Sequence, residues 1–280
     1  LGISYNYAQL NRVFKLLLKE LAMINHQADF KVEMDFYHEN GYLIVRNLLN
    51  TDEINEIQEF KKRMDKEVAN AKGDFQKDGA SFNFERKDIN AISNMADTEV
   101  RQGVLRKIQE VFFLDEMFRR VCTSDKVLDV ISAIIGPKIY YHSSKLMYKG
   151  AGGRQKPWHQ DFAYWSSLNS KQVTVWYAID KATKENGCIQ VVPKSHKKGL
   201  VPHFGPELQF NPNDHFKPEE IVYAEMNPGD VLFFDVLTFH YSDANLSNKD
   251  RLSMIIDFQS ALGPKEWSRL KEPLRDLAHA

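Results

Sequence analysis

Three residues of this 280-residue chain have the types and placement to hold a metal ion. In Trp158-His159-Gln160-Asp161 one residue separates His159 from Asp161, so on an extended backbone both side chains point to one side and can face the same ion. A third ligand must come from elsewhere. His240 is the best candidate, because it closes Phe233-Phe234-Asp235-Val236-Leu237-Thr238-Phe239-His240, a β-rich run expected to bring the imidazole in on a different strand. Two imidazoles and one carboxylate on one face of a metal leave the opposite face open, which suits non-haem Fe(II) oxygen chemistry.

His-x-Asp alone is a weak motif, and its context carries it: the pair follows a Gly-rich turn, Gly150 to Lys156, and is the only such pair in the chain. The other histidines compete less well. His142, His196, His203 and His215 fall in or beside expected loops, and His26, His38 and His279 fall on helical or terminal stretches. An imidazole ending a long apolar strand is costly to bury unless it is hydrogen-bonded or bound to metal. Arg251 is expected to start the next strand, where antiparallel pairing with the His240 run would set its guanidinium beside the metal. There it can bind a substrate carboxylate through two parallel hydrogen bonds, and Ser253 can add a hydroxyl on the same face. Phe162, Tyr164 and Trp165 are candidates for the mouth of the site, with core packing as the ordinary alternative; Cys188 reads as a small core residue.

The elements that must position these residues change character midway. Apolar residues at three- and four-residue steps predict a helix from about Tyr7 to Ala28. A short helix stopped at Gly41 leads into a strand at Tyr42 to Val45, and a helix capped by Thr51 buries Ile54, Ile57, Phe60 and Met64. Residues 71–97 read as a long loop and a candidate lid. Helical periodicity resumes through Val104, Ile108, Val111 and Phe112, and again through Val127, Val130, Ile131 and Ile134, with Ser124 as a cap and Gly136-Pro137 as the stop. After Pro137 the chain becomes β: strands are expected at 139–149, 172–179, 188–192, 231–234 and 252–258, with an irregular excursion at 202–220. The expectation is a mainly β fold with flanking α-helices: one domain over 1–280, with 1–30 as a helical extension and 138–260 as the β-roll core.

Composition narrows the function. Lys plus Arg (37) balance Asp plus Glu (38), so no global field draws the chain to nucleic acid or an anionic membrane, and a small-molecule substrate is expected. Two cysteines are too few for a disulfide framework and suit a reducing, cytoplasmic location. No apolar stretch approaches the roughly 18 residues of a membrane span. The chain begins with Leu1 and is expected to start inside a longer gene product. Oligomeric state is not written in these features.

The ordered set of His159-Gln160-Asp161, Trp176 on the next strand, Glu185-Asn186-Gly187-Cys188-Ile189-Gln190-Val191-Val192-Pro193-Lys194-Ser195-His196, Pro228-Gly229-Asp230, His240 and Arg251 resembles the phytanoyl-CoA dioxygenase family of Fe(II)- and 2-oxoglutarate-dependent oxygenases. The resemblance covers roughly Asp35 to Ser260. It implies a double-stranded β-helix, the cupin-like jelly roll, with the site at its open end. It further implies iron on His159, Asp161 and His240, the distal carboxylate of 2-oxoglutarate on Arg251, cosubstrate contacts from Lys145, Trp176 and Ser242, and O2 as the second cosubstrate. Family members that halogenate carry a small residue in place of the acid, so Asp161 implies hydroxylation or related oxidation. The substrate stays open between a CoA-linked acyl chain, with Lys194, Lys197 and Lys198 as candidate phosphate contacts, and a small specialised metabolite. Two other classes compete: a metal-binding β-roll without activity, and a Zn hydrolase, which would want an adjacent general base and have no need of Arg251.

Overall fold

The computed structural model describes residues 30–86, 100–165, 171–262 and 270–277. The helix expected before Ala28 lies outside them. A first helix, α1 (residues 30–40), stops at Gly41 as expected. Gly41 has φ +79°, and a Cβ there would collide with the His196 ring, so both conformation and packing require glycine. The chain then forms β1 (Tyr42–Val45) and α2 (Thr51–Val68). Ile54, Ile57 and Phe60 are buried as expected, but the cap is Asn50, not Thr51. Asn50 Oδ1 accepts from the Glu53 amide at 2.9 Å, and the Glu53 carboxylate accepts from the Asn50 amide at 2.7 Å. Asn50→Ala is expected to lower stability by about 1 kcal/mol, read as the midpoint of urea unfolding.

The stretch expected as a loop is in part a hairpin. β2 (Phe75–Lys77) pairs with β3 (Ala80–Arg86), and residues 87–99 lie outside the described residues. β3 pairs in turn with β4 (Val100–Gln109), where Val104 and Ile108 predict a helix. The reason for the difference is a bulge. Asn83 pairs with Lys107 but Phe84 with Leu105, leaving Arg106 unpaired in the ladder, so the buried residues Leu105 and Ile108 fall three apart. One extra residue turns the two-residue alternation of a strand into a step that mimics a helical stripe. Only Val111–Phe113 winds, into a single 3-10 turn.

Two helices, α3 (Glu116–Cys122) and α4 (Asp125–Ile135), lead to the β half. Ser124 precedes α4 and Gly136 ends it as expected, although the Ser124 hydroxyl makes no capping bond. The remaining elements are β5 (Lys138–Lys149), β6 (Lys156–His159), α5 (Phe162–Trp165), β7 (Gln172–Ala178), β8 (Ile189–Val191), β9 (Val222–Ala224), β10 (Val231–Asp235), β11 (His240–Ser242), β12 (Arg251–Gln259) and β13 (Arg275–Asp276). Among the described residues, one antiparallel sheet runs β1-β10-β7-β12-β5-β4-β3-β2, with β13 beside β5, and a second runs β6-β11-β8-β9. Strands from before residue 138 therefore join the major sheet. Its outer face packs Val175, Tyr177, Met254 and Phe258 into one core with Ile57, Phe118 and Ile131 of the helices. Its inner face sets Trp176, Leu232 and Phe234 against Ile189 and Val191 of the second sheet. Two facing antiparallel sheets buttressed by helices make a jelly roll. No helix of the described residues is long and apolar enough to cross a membrane.

The run Phe233 to His240, expected as one strand, is two. β10 ends at Asp235, whose carbonyl and carboxylate accept from the Thr238 and Leu237 amides, each at 2.8 Å. This Asx-type turn passes the chain from the major sheet to the second, where His240 opens β11. Arg251 on β12 consequently faces the His240 strand from the opposite sheet instead of pairing with it.

Candidate active site

The passage to the second sheet makes His240 the direct cross-strand partner of His159. Their rings lie 4.1 Å apart between centroids. His159 Nδ1 is 2.8 Å from the Pro157 carbonyl and His240 Nδ1 is 2.9 Å from the Thr238 carbonyl, so each ring carries its proton on Nδ1 and turns the Nε2 lone pair inward. Both Nε2 atoms lie 3.6 Å from Asp161 Oδ1. The three residues are buried, and a donor atom of each falls within 4.8 Å of the others. Burial first, and His240 second, push His159 down to about 3, which keeps its imidazole neutral. Burial alone would raise Asp161, but its neighbours His240, His159 and Lys145 override it and hold the carboxyl well below its ordinary range. Two imidazoles and one carboxylate, with donor atoms converging on a single point, fit a divalent cation.

Thr174, Lys145 and Gln160 support this donor set. Thr174 Oγ1 lies 2.7 Å from Asp161 Oδ2 and 3.0 Å from Asp257 Oδ1, and its single proton serves one of them. Lys145 Nζ lies 3.4 Å from Asp257 Oδ2. Gln160, between the two ligands, is fully buried and donates to the carbonyls of Gly199 and Leu237. It fastens the turn on which the ligands sit.

The donor set opens into a cavity of about 510 Å³. Of the residues singled out in the sequence, the fold places Lys145, Trp176, Ser242, Tyr164 and Trp165 on this cavity with the three metal-ligand candidates. Phe162, Ser253 and Arg251 are not on its wall. Phe162 is half-buried in α5, with its amide bonded to Val236. Arg251 is buried just behind the wall: its guanidinium lies 5.2 Å from the Trp176 ring and donates to the Gly187 carbonyl at 2.9 Å. Ser242 Oγ donates to the same carbonyl at 2.8 Å. A Cβ on Gly187 would collide with the Asp243 carbonyl, so glycine is what admits this close approach. Among the described residues, Arg251 Nε and Ser253 Oγ have no hydrogen-bond partner. Burial is also what pushes Arg251 down to about 10. Lys149, unforeseen from sequence, stands beside Arg251 as its register partner and donates to Ser242 Oγ at 2.6 Å. Burial first, then the Arg251 charge, hold its amine well below the ordinary value. No local signal marks Lys149; only the β5–β12 register brings it here.

Lys107 on β4 also reaches the cavity. Burial first, then Lys145, Arg106 and Lys156, lower it from 10.5 to about 8. The folded state thus releases this proton more readily than the unfolded chain, so stability rises with pH between these two values. Lys107→Met is expected to stabilise the ligand-free protein at pH 7 by on the order of 2 kcal/mol and to flatten that rise, measured as urea-unfolding midpoints at pH 7 and pH 9.5. The lysines considered for a phosphate groove are engaged elsewhere: Lys194 and Lys197 with Glu39, and Lys198 with the His215 carbonyl.

Facing antiparallel sheets around a buried set of two histidines and one carboxylate define a jelly-roll metalloprotein with a facial site. The chain belongs to the phytanoyl-CoA dioxygenase (PhyH) family, whose model matches residues 37–253. A probable phytanoyl-CoA dioxygenase of Caenorhabditis elegans is 31% identical, over 75% of this chain and 69% of the relative. The peroxisomal phytanoyl-CoA dioxygenase of Bos taurus is 28% identical, over 81% of this chain and 67% of the relative. Among solved structures, EctD from S. alaskensis with 2-oxoglutarate and 5-hydroxyectoine superimposes with a TM-score of 0.60 at 21% identity, covering 86% of this chain and 83% of that one.

Proposed function

We propose that this protein is an Fe(II)- and 2-oxoglutarate-dependent oxygenase that hydroxylates, or otherwise oxidises, an unactivated C–H bond of a small organic substrate. One observation carries the reading. The converging Nε2, Nε2 and Oδ1 atoms share a cavity with Trp176 and Ser242, behind which the buried Arg251 has no carboxylate partner among the described residues. Family membership and the likeness to EctD support it. Iron and 2-oxoglutarate, when bound, supply the activation of O2 that oxidises the substrate, with succinate and CO2 as products.

The chain's own residues do the rest. His159, Asp161 and His240 hold the metal on one face. Arg251 and Ser242 receive the distal carboxylate of 2-oxoglutarate, with Trp176, Ser253 and Lys145 around it, while Tyr164 and Trp165 shape the substrate end and exclude water. A Zn hydrolase gives Arg251 no task. Within the oxygenase reading, a specialised metabolite is the first choice of substrate and a CoA-linked acyl chain the second. A single catalytic domain in a reducing, cytoplasmic location agrees with the two buried free thiols, Cys122 and Cys188.

The test is anaerobic titration of Fe(II) and 2-oxoglutarate into metal-free protein. A visible charge-transfer band that needs both additions, followed by succinate release in air, is the expected result. Metal binding with no band on adding 2-oxoglutarate would leave a metal-binding β-roll in its place.

A further inference from the structure

The inner face of the major sheet carries a second set of buried polar atoms that the metal site does not use. Gln172 on β7 and Gln259 on β12 are cross-strand partners. Their neighbours Val173 and Phe258 belong to the helix-side core, so both glutamines point inward, on the face of Thr174 and Asp257. They are 5% and 0% exposed. Among the described residues, neither the amide nitrogen nor the oxygen of either has a hydrogen-bond partner. His142 sits at the bulge of β5 opposite the Asp257–Phe258 step of β12. It is also buried, its Nδ1 is unpartnered, and its ring packs edge-on against Trp165 at 4.6 Å. Trp165 and Thr174 line the cavity near the metal-ligand candidates, and His142, Gln172 and Gln259 lie beside them, off its wall.

Five buried donor or acceptor atoms without partners, gathered on one face, are expensive. Apolar side chains of the same size would be cheaper there, which is the trade-off expected where a fold gives up stability to bind something. The ionised groups facing His142 are Asp257, Lys145 and Asp161. Asp257 is already bonded by Ser143 and Lys145. Burial, more than any of these charges, lowers His142 and keeps its ring neutral. What the cluster has left to offer is uncharged: two carboxamides and an imidazole.

We propose that His142, Gln172 and Gln259 form the recognition surface for the primary substrate, selecting an uncharged group that carries both donors and acceptors, such as a carboxamide or a pair of hydroxyls. The inference rests on the oxygenase reading. It also separates the two substrate choices, because a saturated acyl chain would leave all five atoms unpaired.

The double substitution Gln172→Met, Gln259→Met removes four of the five atoms at nearly constant volume. The metal-free variant is expected to unfold at the wild-type temperature or up to about 3 °C above it. In the anaerobic complex with Fe(II) and 2-oxoglutarate, the charge-transfer band and the cosubstrate affinity are expected to stay unchanged. The shift of that band by hexanamide or 1,2-hexanediol is expected to need about tenfold more ligand. His142→Phe keeps the packing on Trp165 and is the second variant, with the same expected loss. An unfolding temperature lower by about 3 °C or more makes the glutamines a structural hydrogen-bonded pair and overturns the proposal. So does a wild-type band that neither probe shifts, or one that hexanoyl-CoA alone shifts. Absence of the band from wild type under any addition is a separate result: it sinks the oxygenase reading and this inference with it, whatever the unfolding temperatures show.

Discussion

Arg251→Met is expected to weaken 2-oxoglutarate binding by about 100- to 1,000-fold, because truncating one partner of a buried, hydrogen-bonded charge pair costs roughly 3–4 kcal/mol. Arg251 is 3% exposed and its guanidinium is packed on Trp176, so water cannot replace it. Its neighbours make substitution harder still: Lys149 is committed to Ser242 Oγ, and Ser242 alone offers a neutral hydroxyl. Methionine keeps the apolar stem against the indole and removes the charge, so ligand-free stability is expected to change little. The measurement is the dissociation constant of 2-oxoglutarate from the anaerobic Fe(II) protein, with metal content checked separately. Unchanged affinity would mean that the cosubstrate carboxylate lies elsewhere.

Asp161→Asn is expected to weaken Fe(II) binding by more than about 100-fold, since it removes the only anionic donor and leaves two imidazoles and an amide. The substitution is nearly isosteric, and the Nδ1 bonds to Pro157 and Thr238 still orient both histidines, so the loss belongs to ligand charge and not to collapse of the site. Thr174→Val makes the contrast. It deletes a 2.7 Å hydrogen bond to Asp161 Oδ2 without touching a donor atom, and the expected cost is about 10- to 100-fold. Titration of both variants with Fe(II) or Co(II) under anaerobic conditions, followed by calorimetry, reads the two effects on one scale. Equal losses would show that Thr174 acts on the fold of the turn, not on the electronics of the carboxylate.

Residue types and local spacing, read from the sequence by itself, singled out His159 and Asp161 as a pair, His240 as their companion and the strands after Pro137, and the ordered motifs carried the resemblance to the family. These signals survive because they are short-range: alternation puts two ligands on one side, and β-branched and aromatic runs favour strands wherever they lie. The tertiary structure alone decided which sheet each strand joins. It broke the run Phe233 to His240 at Asp235, so that His240 meets His159 and Arg251 approaches from the opposite sheet. It turned the expected helical stripe at Val104 and Ile108 into a bulged strand whose hydrogen bonds come from β3 and β5. Thr174, Lys149 and the Gln172–Gln259 pair likewise gain their meaning from cross-strand register, which depends on residues tens of positions away and leaves no trace in any local window.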